Sequence, residues 1–388
     1  MVISASVDAF PKKMFASHLI DWYKAHYRRL PWRETKNPYF IWLSEIMLQQ
    51  TQVKTVMGYY ERFIQAFPTL ADLAKADPKD VMKQWEGLGY YSRCRNLHKA
   101  AKMIVEEHNG SFPQSMEAVS ALPGIGKSTA GAILTFAFDQ RHPLLDGNVK
   151  RVLSRLFNID SPVEATKTIN CLWAISAELI EAADVPYYFN QGIMELGATL
   201  CLPKKPHCLL CPFNQICQSY LSGSVHERPV KLQKKVLPHY NIAAGILWND
   251  QEEVFVQQRP EGGLLGGLWE FPGGKQEPGE VIQQTLKREL NEELGIQIKV
   301  LEALPAIKHA YTHFKITLFP FHCKIESGSV TPTVAQDWQW LKPEKLESLA
   351  FPKANKVILT WLKDKTYWPS GQATIEVADI EVTDKALL

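Results

Sequence analysis

Seventeen residues near the middle of the chain hold four of its seven cysteines: Cys201, Cys208, Cys211 and Cys217, spaced C-x6-C-x2-C-x5-C. Four soft thiolates in so short a stretch can hold a metal centre, and soft ligands select zinc or an iron–sulfur cluster. Structural zinc sites are usually built from two close pairs. Only Cys208 and Cys211 make such a pair here, so the spacing favours iron–sulfur over zinc, with disulfides last. Pro203, Pro206 and Pro212 interrupt the same loop, which a metal would staple into order.

Two further stretches have the makings of a site. Leu122-Pro123-Gly124-Ile125-Gly126-Lys127 stands between two helical stretches. Gly124 and Gly126 leave backbone amides bare at a helix start, which suits an anion such as a phosphodiester. A plain helix–helix turn is the competing reading. Later, Glu289, Glu292 and Glu293 gather on one side of a helix expected at about 280–293, behind a glycine-bearing loop. Hard divalent cations, usually Mg2+, favour such oxygens and bridge them to phosphates. An ordinary acidic helix is the alternative.

The elements that must position these groups change character once. Up to residue 225 the chain reads as helices. The run YFIWLSEIMLQQTQVKTVMGYYERFIQAF after Asn37-Pro38 has apolar residues at helical spacing throughout, and MEAVSAL, STAGAILTFAF, VKRVLSRLF and INCLWAISAELIEAA are further helical stretches. Residues 226–238 lack apolar periodicity and read as a basic, extended linker. From 239 to 365, NIAAGILW, EVFVQQR, LWEFPGG, IQIKVLEAL, FKITLFPFHCKI and DWQWL read as strands, closed by the helix ANKVILTWL. Together with the helix at 280–293 these make an α+β layer. Residues 366–388 form an acidic tail, either a strand or loose.

At 388 residues, 46% hydrophobic and 22% charged, the chain reads as globular and multidomain. No apolar run reaches the ~20 residues of a membrane span, and MVISASVDAFPKKM has no signal-peptide core. A reducing, cytoplasmic setting is expected. The net charge of +2 is uneven: residues 1–225 carry +4, 226–240 carry +3 and the remainder −5. A basic front half and strap favour a polyanion partner.

LPGIGKSTAGAI, followed by LLDGNVKRV and the four-cysteine loop, resembles the helix-hairpin-helix DNA glycosylases of the endonuclease III superfamily. WLSEIMLQQTQV and GLGYYSR narrow the resemblance to the MutY-type adenine DNA glycosylases. The fold this implies is an all-α glycosylase domain over 1–225, with a helix-hairpin-helix at about 120–130 and a [4Fe–4S] loop at 201–217. An α+β MutT-like Nudix domain over 239–365 follows.

The resemblance implies roles. Glu45 matches the general acid that protonates the departing base, which requires a raised pKa; the apolar helix face of Ile41, Trp42 and Leu48 can supply it by desolvation. Asp146 matches the carboxylate that stabilises the cationic sugar, and Asn148 a residue that organises the site. Arg28, Trp32, Arg33 and Leu48 would line the adenine pocket. Gln50 and Tyr90 would enter the DNA, and Gly124, Gly126 and Ser128 would hold its backbone. Arg93, Arg95, Lys204 and Lys205 are further phosphate candidates. Strand-cutting relatives carry a nucleophilic lysine where Ser128 stands, so base removal without strand cleavage is expected.

G-x5-E-x7-R-E-U-x-E-E-x-G-U, with U aliphatic, fits Gly274 to Ile296 and resembles a complete Nudix box. The MutY family normally ends in a MutT-like domain with a degenerate box, so an intact one is a departure. Tyr311-Thr312-His313 resembles the family's 8-oxoguanine-contacting loop, and Asn355 in FPKAN matches a MutT asparagine that reads oxidised purines, with Phe271 a nearby packing residue. The expected partner is therefore double-stranded DNA with A opposite 8-oxoguanine or G, met by a monomer in a bacterial-type nucleoid. Two readings of the second domain stay open: a lesion reader with inherited acids, or a reader that also hydrolyses oxidised purine nucleoside triphosphates with Mg2+. A bifunctional lyase of the endonuclease III kind is the alternative for the first.

Overall fold

A computed structural model describes residues 9–232, 236–261, 265–311, 313–364, 367–369 and 379–381. The chain forms two compact units, Met1–Gln49 with Pro68–Ala74 and Lys99–Lys234, and Gln50–Phe67 with Lys75–His98 and Lys235–Leu388. Two helical stretches thus group with the sheet, whereas the sequence suggests a single boundary, at the 226–238 linker. Long-range contacts inside the second unit account for this. Lys79 pairs with Asp337 at 3.1 Å, and the Lys83 ammonium donates to the carbonyls of Glu347 at 2.5 Å and Leu349 at 3.1 Å.

The first unit is helical around one apolar core. Phe15, Leu19, Val149, Leu153, Leu172 and Phe189 are fully buried in it, and the Phe15 ring lies 4.6 Å from that of Phe213. The helix Pro186–Thr199 packs across Lys12–His26 and beside Gly147–Leu156. Gly197 permits that second approach, because a Cβ there would lie 2.7 Å from the Asn148 Cβ. The expected linker begins as part of this unit: Val163 N donates to Val230 O at 2.9 Å, and Leu232 N to a Glu164 carboxylate oxygen at 3.2 Å.

The second unit holds a mixed sheet of β1 (His239–Trp248), β2 (Val254–Gln258), β3 (Trp269–Glu270), β4 (Gln297–Ala303), β5 (Ala306–Ala310), β6 (Lys315–Ser327), β7 (Asp337–Leu341) and β8 (Asp379–Glu381), ordered β3-β2-β1-β6-β5-β8, with β4 added on β6 and β7 on β2. β1 (His239–Trp248) runs parallel to β6 (Lys315–Ser327). The last six residues of β1 are all buried, because both sheet faces are covered. The helix Ile282–Leu294 covers one face through Leu286, Leu290 and Leu294. The helix Lys353–Lys363 covers the other through Ile358 and Leu362. β2 (Val254–Gln258), β3 (Trp269–Glu270), β4 (Gln297–Ala303) and β7 (Asp337–Leu341) match expected strands.

Two features differ from expectation. The long helical run breaks into Pro38–Leu48 and Val53–Ala66, with Gln50 between them in the left-handed region at φ 56°. No glycine or proline marks that break, so apolar spacing alone reads straight through it. β5 (Ala306–Ala310) has no expected counterpart, and Asp379–Glu381 of the tail pairs parallel with it as β8. Most of residues 366–388 lie outside the described residues.

Candidate functional site

Glu45 sits on the Pro38–Leu48 helix, whose start is fixed by Pro38 and by the Asn37 side chain accepting from Tyr39 N at 2.9 Å. Ile41 and Trp42 beside it are buried. Glu45 is half-buried as a residue, and its carboxyl is enclosed by protein. Burial pushes its pKa up to about 8, with a further push from the Asp146 charge and a smaller opposing pull from Arg33. Near neutral pH it therefore holds its proton.

Asp146 caps the helix Gly147–Leu156. Its carboxylate accepts from Val149 N at 2.7 Å and from the Asn148 amide at 3.1 Å. Burial raises its pKa, against those hydrogen bonds and the Arg151 charge, which favour the ionised form. Ser128 works from behind: its hydroxyl accepts from Leu145 N at 2.9 Å, one residue before Asp146. Asn148 in turn accepts from Arg151 at 2.8 Å, and Arg151 donates to the carbonyls of Cys201 at 2.7 Å and Gly197 at 2.8 Å. Ser128 and Asn148 thus hold the Asp146 corner in place.

Arg28 and Arg33 converge on Glu195, whose side chain is fully buried. Arg28 donates to its two oxygens at 2.7 and 2.8 Å, and Arg33 adds a bond of 2.8 Å. A second Arg33 bond goes to Gln191 at 2.9 Å. Burial pushes Glu195 up, but the hydrogen bonds from Arg28 and Arg33 outweigh it and hold its pKa at about 2. Trp32, in the short Pro31–Arg33 turn, is buried, and Leu48 is half-buried at the end of the Glu45 helix. Sequence reasoning missed Glu195 and Gln191. Their signal was present: Gln191 and Glu195 stand one turn apart, with Asn190 beside the first, inside the largely apolar helix FNQGIMELGA.

In the hairpin, the helix Met116–Ala121 is capped by Ser115, Gly124 takes a positive φ of 79°, and Gly126 caps Lys127–Phe138. Gly126 has no side chain to cap that second helix, which leaves its first amides available as an anion-ready terminus.

The four loop thiols feel one another. Cys211 is pushed up to about 12 by burial first, with Cys201, Cys217 and Cys208 adding to it. Cys208 and Cys217 are raised in the same way. Buried Arg155 donates to Cys201 Sγ at 3.3 Å and to the Leu202 carbonyl at 2.7 Å. Four cysteines of one loop beside a buried guanidinium fit an anionic thiolate cluster. Among the described residues no three His, Cys, Asp or Glu side chains converge tightly enough for a single metal ion.

In the second unit, Tyr90 has a positive φ of 49° at the end of the Gly87–Gly89 loop. The Arg93 guanidinium lies 5.1 Å from the Tyr90 ring centre and bonds to Thr51, the neighbour of Gln50, at 3.2 Å. Gln50 and Tyr90 are thereby linked through one arginine. Arg93 is itself buried and Arg95 donates to Gly266 O at 2.5 Å, so both turn inward rather than outward to phosphates.

On the sheet, Tyr311 stacks on Phe314 at 4.8 Å, and Phe271 packs on Phe351 at 5.7 Å. His313 is exposed, and Asn355 is almost buried in the first turn of its helix. Thr312 lies outside the described residues. The box acids do not act as one group here. Glu289 and Glu292 each hold Arg288 at 3.1 Å, and Glu280 holds it at 2.6 Å. Glu293 instead accepts from Gln257 at 3.0 Å. Burial, with the Glu270 and Glu289 charges, pushes Glu293 up to about 7. Like charges that raise one another's proton affinity would be relieved by a divalent cation, so the donor chemistry fits Mg2+.

Residues 43–175 match the HhH-GPD superfamily of base excision DNA repair proteins, and residues 243–361 match the NUDIX domain family. The chain is 35% identical to human adenine DNA glycosylase, over 89% of this chain and 73% of that one. The chain belongs to the adenine DNA glycosylase family. The Buchnera aphidicola (Baizongia pistaciae) adenine DNA glycosylase is 36% identical, over 82% of this chain and 88% of that one. A solved thermostable thymine-DNA glycosylase overlays with a TM-score of 0.49 at 27% identity, covering 54% of this chain and 97% of that one. As an adenine DNA glycosylase family member, the chain combines the helical repair fold with a Nudix-type sheet, as the sequence implied. No helix among the described residues is long and apolar enough to cross a membrane.

Proposed function

We propose that this chain removes adenine mispaired with 8-oxoguanine or guanine in double-stranded DNA by hydrolysing the N-glycosidic bond. One observation carries the reading: Glu45 is a carboxyl enclosed by protein near Asp146, where burial and the Asp146 charge push its pKa up to about 8, and Asp146 is itself fixed by hydrogen bonds from Val149 N and Asn148. Adenine leaves as a poor anion unless it is protonated. Glu45 donates its proton to N7 of the everted base, the glycosidic bond breaks, and Asp146 stabilises the oxocarbenium-like sugar. Water adds at the anomeric carbon and leaves an abasic site. Asn148 orients Asp146, and Arg28, Trp32, Arg33 and Leu48 form the base pocket, with Glu195 and Gln191 fixing the two arginines. Ser128 provides no amine for Schiff-base attack, so the strand stays uncut.

Gln50 and Tyr90 enter the duplex, while Gly124, Gly126 and Ser128 present the hairpin amides to the phosphodiester. Tyr311, Thr312, His313 and Asn355 read the 8-oxoguanine. Cys201, Cys208, Cys211 and Cys217 would hold a [4Fe–4S] cluster. When bound, it supplies a covalent staple for the loop that carries Lys204 and Lys205 to DNA. Domain limits of 1–225 and 239–365, a monomeric state and a cytoplasmic, nucleoid-associated setting complete the proposal.

Single-turnover excision on duplexes with A opposite 8-oxoguanine, G or T tests it. Glu45→Gln should bind the duplex and release adenine about 10²–10⁴ times more slowly. Excision by Glu45→Gln at the wild-type rate would overturn the acid assignment, and trapping by borohydride would favour the lyase reading.

A second reading is favoured by Glu293, held at about 7 among Glu270 and Glu289. The intact box, with Glu289, Glu292 and Glu293 taking Mg2+, would then also hydrolyse oxidised purine nucleoside triphosphates. Monophosphate release from 8-oxo-dGTP with Mg2+, lost in Glu292→Gln, would establish it. No release would leave the domain as a reader alone.

A further inference from the structure

Glu86 is a buried carboxylate that none of the roles above uses. Its side chain is 7% exposed and ends the helix Pro78–Trp85, directly before the Gly87–Tyr90 loop. One oxygen accepts from Phe351 N at 2.9 Å. The other accepts from the ammonium groups of Lys83 at 2.8 Å and Lys356 at 2.9 Å. Phe351 packs on Phe271 at the foot of the helix that bears Asn355, and Lys356 is the next residue after Asn355. All of these residues belong to the second compact unit.

The loop after Glu86 is as firmly fixed. The Tyr59 hydroxyl donates to Glu86 O at 3.0 Å, and a Cβ on Gly87 would lie 2.5 Å from that hydroxyl. Gly87 N donates to the Tyr91 hydroxyl at 3.1 Å, and Trp85 Nε1 to Gly89 O at 3.1 Å. Slack in the loop is therefore small, and a shift at Glu86 is carried to Tyr90. A buried carboxylate satisfied by one backbone amide and two ammonium groups has one stable position. It ties the start of the purine-reading helix to the loop that carries the DNA-entering tyrosine.

We propose that Glu86 is a positioning residue for specificity: it sets the spacing between the Tyr90 loop and the Phe351–Asn355 segment, and thereby the preference for A opposite 8-oxoguanine over A opposite G. The inference rests on the proposed lesion-reading role of that segment. Glu86 touches no reacting atom, so its loss acts on the discrimination between opposing bases and leaves the chemistry at Glu45 and Asp146 intact.

The test is the ratio of single-turnover rates, at subsaturating enzyme, for duplexes with A opposite 8-oxoguanine and A opposite G. Glu86→Ala should lower that ratio about tenfold, as loss of a charge-assisted hydrogen bond allows. Its A opposite G rate should stay within about twofold of wild type, the scatter an independent site permits. Glu86→Gln keeps an acceptor for Phe351 N and loses the attraction to both lysines, so it should lower the ratio by about threefold. An unchanged ratio in either variant, or both rates falling by one common factor, would overturn the proposal. Should Glu86→Ala fail to fold, as judged by circular dichroism and thermal melting, the isosteric Glu86→Gln decides alone. A wild-type enzyme with no preference between the two duplexes would refute the lesion-reading function instead.

Discussion

Gly197 and Asn148 approach so closely that a side chain at 197 cannot be added without moving Asn148. A Cβ there would lie 2.7 Å from Asn148 Cβ and 3.2 Å from its backbone oxygen. Asn148 donates to Asp146, so the helix Pro186–Thr199 determines where the Asp146 carboxylate stands. Gly197→Ala should push that corner out of place and cost about 1–3 kcal/mol from overpacking. The single-turnover rate is expected to fall at least about tenfold, the effect of a small misplacement of a catalytic group. Quench-flow or gel assay, alongside duplex binding that stays near wild type, checks this. Equal loss of binding and rate would point to general unfolding.

The acid role proposed for Glu45 implies an alkaline limit to excision. The Glu45 pKa is raised to about 8, so the acid is present below that pH and lost as pH rises through it. The excision rate should therefore fall on an alkaline limb centred near 8. The unfolded chain would release this proton at an ordinary carboxylate pKa of about 4.3. Between that value and 8 the folded state binds the extra proton, so the stability from this group is full below the window and lost across it. Glu45→Gln should abolish the limb and lower the rate by about 10²–10⁴. A wild-type profile flat from pH 7 to 9 in a chemistry-limited assay would contradict the assignment (its midpoint given by the same about-8 value).

Glu195 behaves in the opposite sense. Its pKa is depressed to about 2 by Arg28 and Arg33, so its stabilisation is present above the ordinary carboxylate value and is lost as pH falls toward 2. Removing the charge leaves Arg33, with a side chain only 6% exposed, without its carboxylate. Glu195→Gln should cost about 3 kcal/mol, the lower end for breaking a buried pair, since Arg28 remains partly solvated. Urea denaturation at neutral pH measures it, and the gap between variant and wild type should narrow in acid. A neutral-pH change below about 1 kcal/mol, the scale of an exposed pair, would mean the arginines find other partners.

The four-cysteine loop has a visible signature. Protein purified without oxidation should be brown if the thiols hold an iron–sulfur cluster and colourless if they hold zinc. Cys208→Ser should bleach the colour and raise the protease sensitivity of residues 201–217, while Cys323→Ser, in the buried sheet core, should leave it intact. Absorption spectra and metal analysis of the two variants decide the matter.

Much of the site was legible because its signals are local. The spacing of Cys201, Cys208, Cys211 and Cys217, the glycines of LPGIGK, and the run of acids at Glu289, Glu292 and Glu293 all lie within one loop or helix. Their chemistry follows from residue type and from a fixed period along the chain. Family motifs added Glu45 and Asp146, and the sheet-forming runs stood out as short apolar stretches between turn signals.

Tertiary structure decided what has no period. Arg28 and Glu195 are 167 positions apart, and Glu86 and Phe351 are 265 apart. Such pairs arise only when packing brings remote backbone together, and burial then makes each charge depend on its partner. The same packing placed Gln50 in a left-handed break that uninterrupted apolar spacing conceals, and divided the acids of the box between Arg288 and Gln257. Sequence alone thus determined which groups are available for chemistry; the fold decided which of them share a proton, a charge or a wall, because those energies depend on distance in space and not on position in the chain.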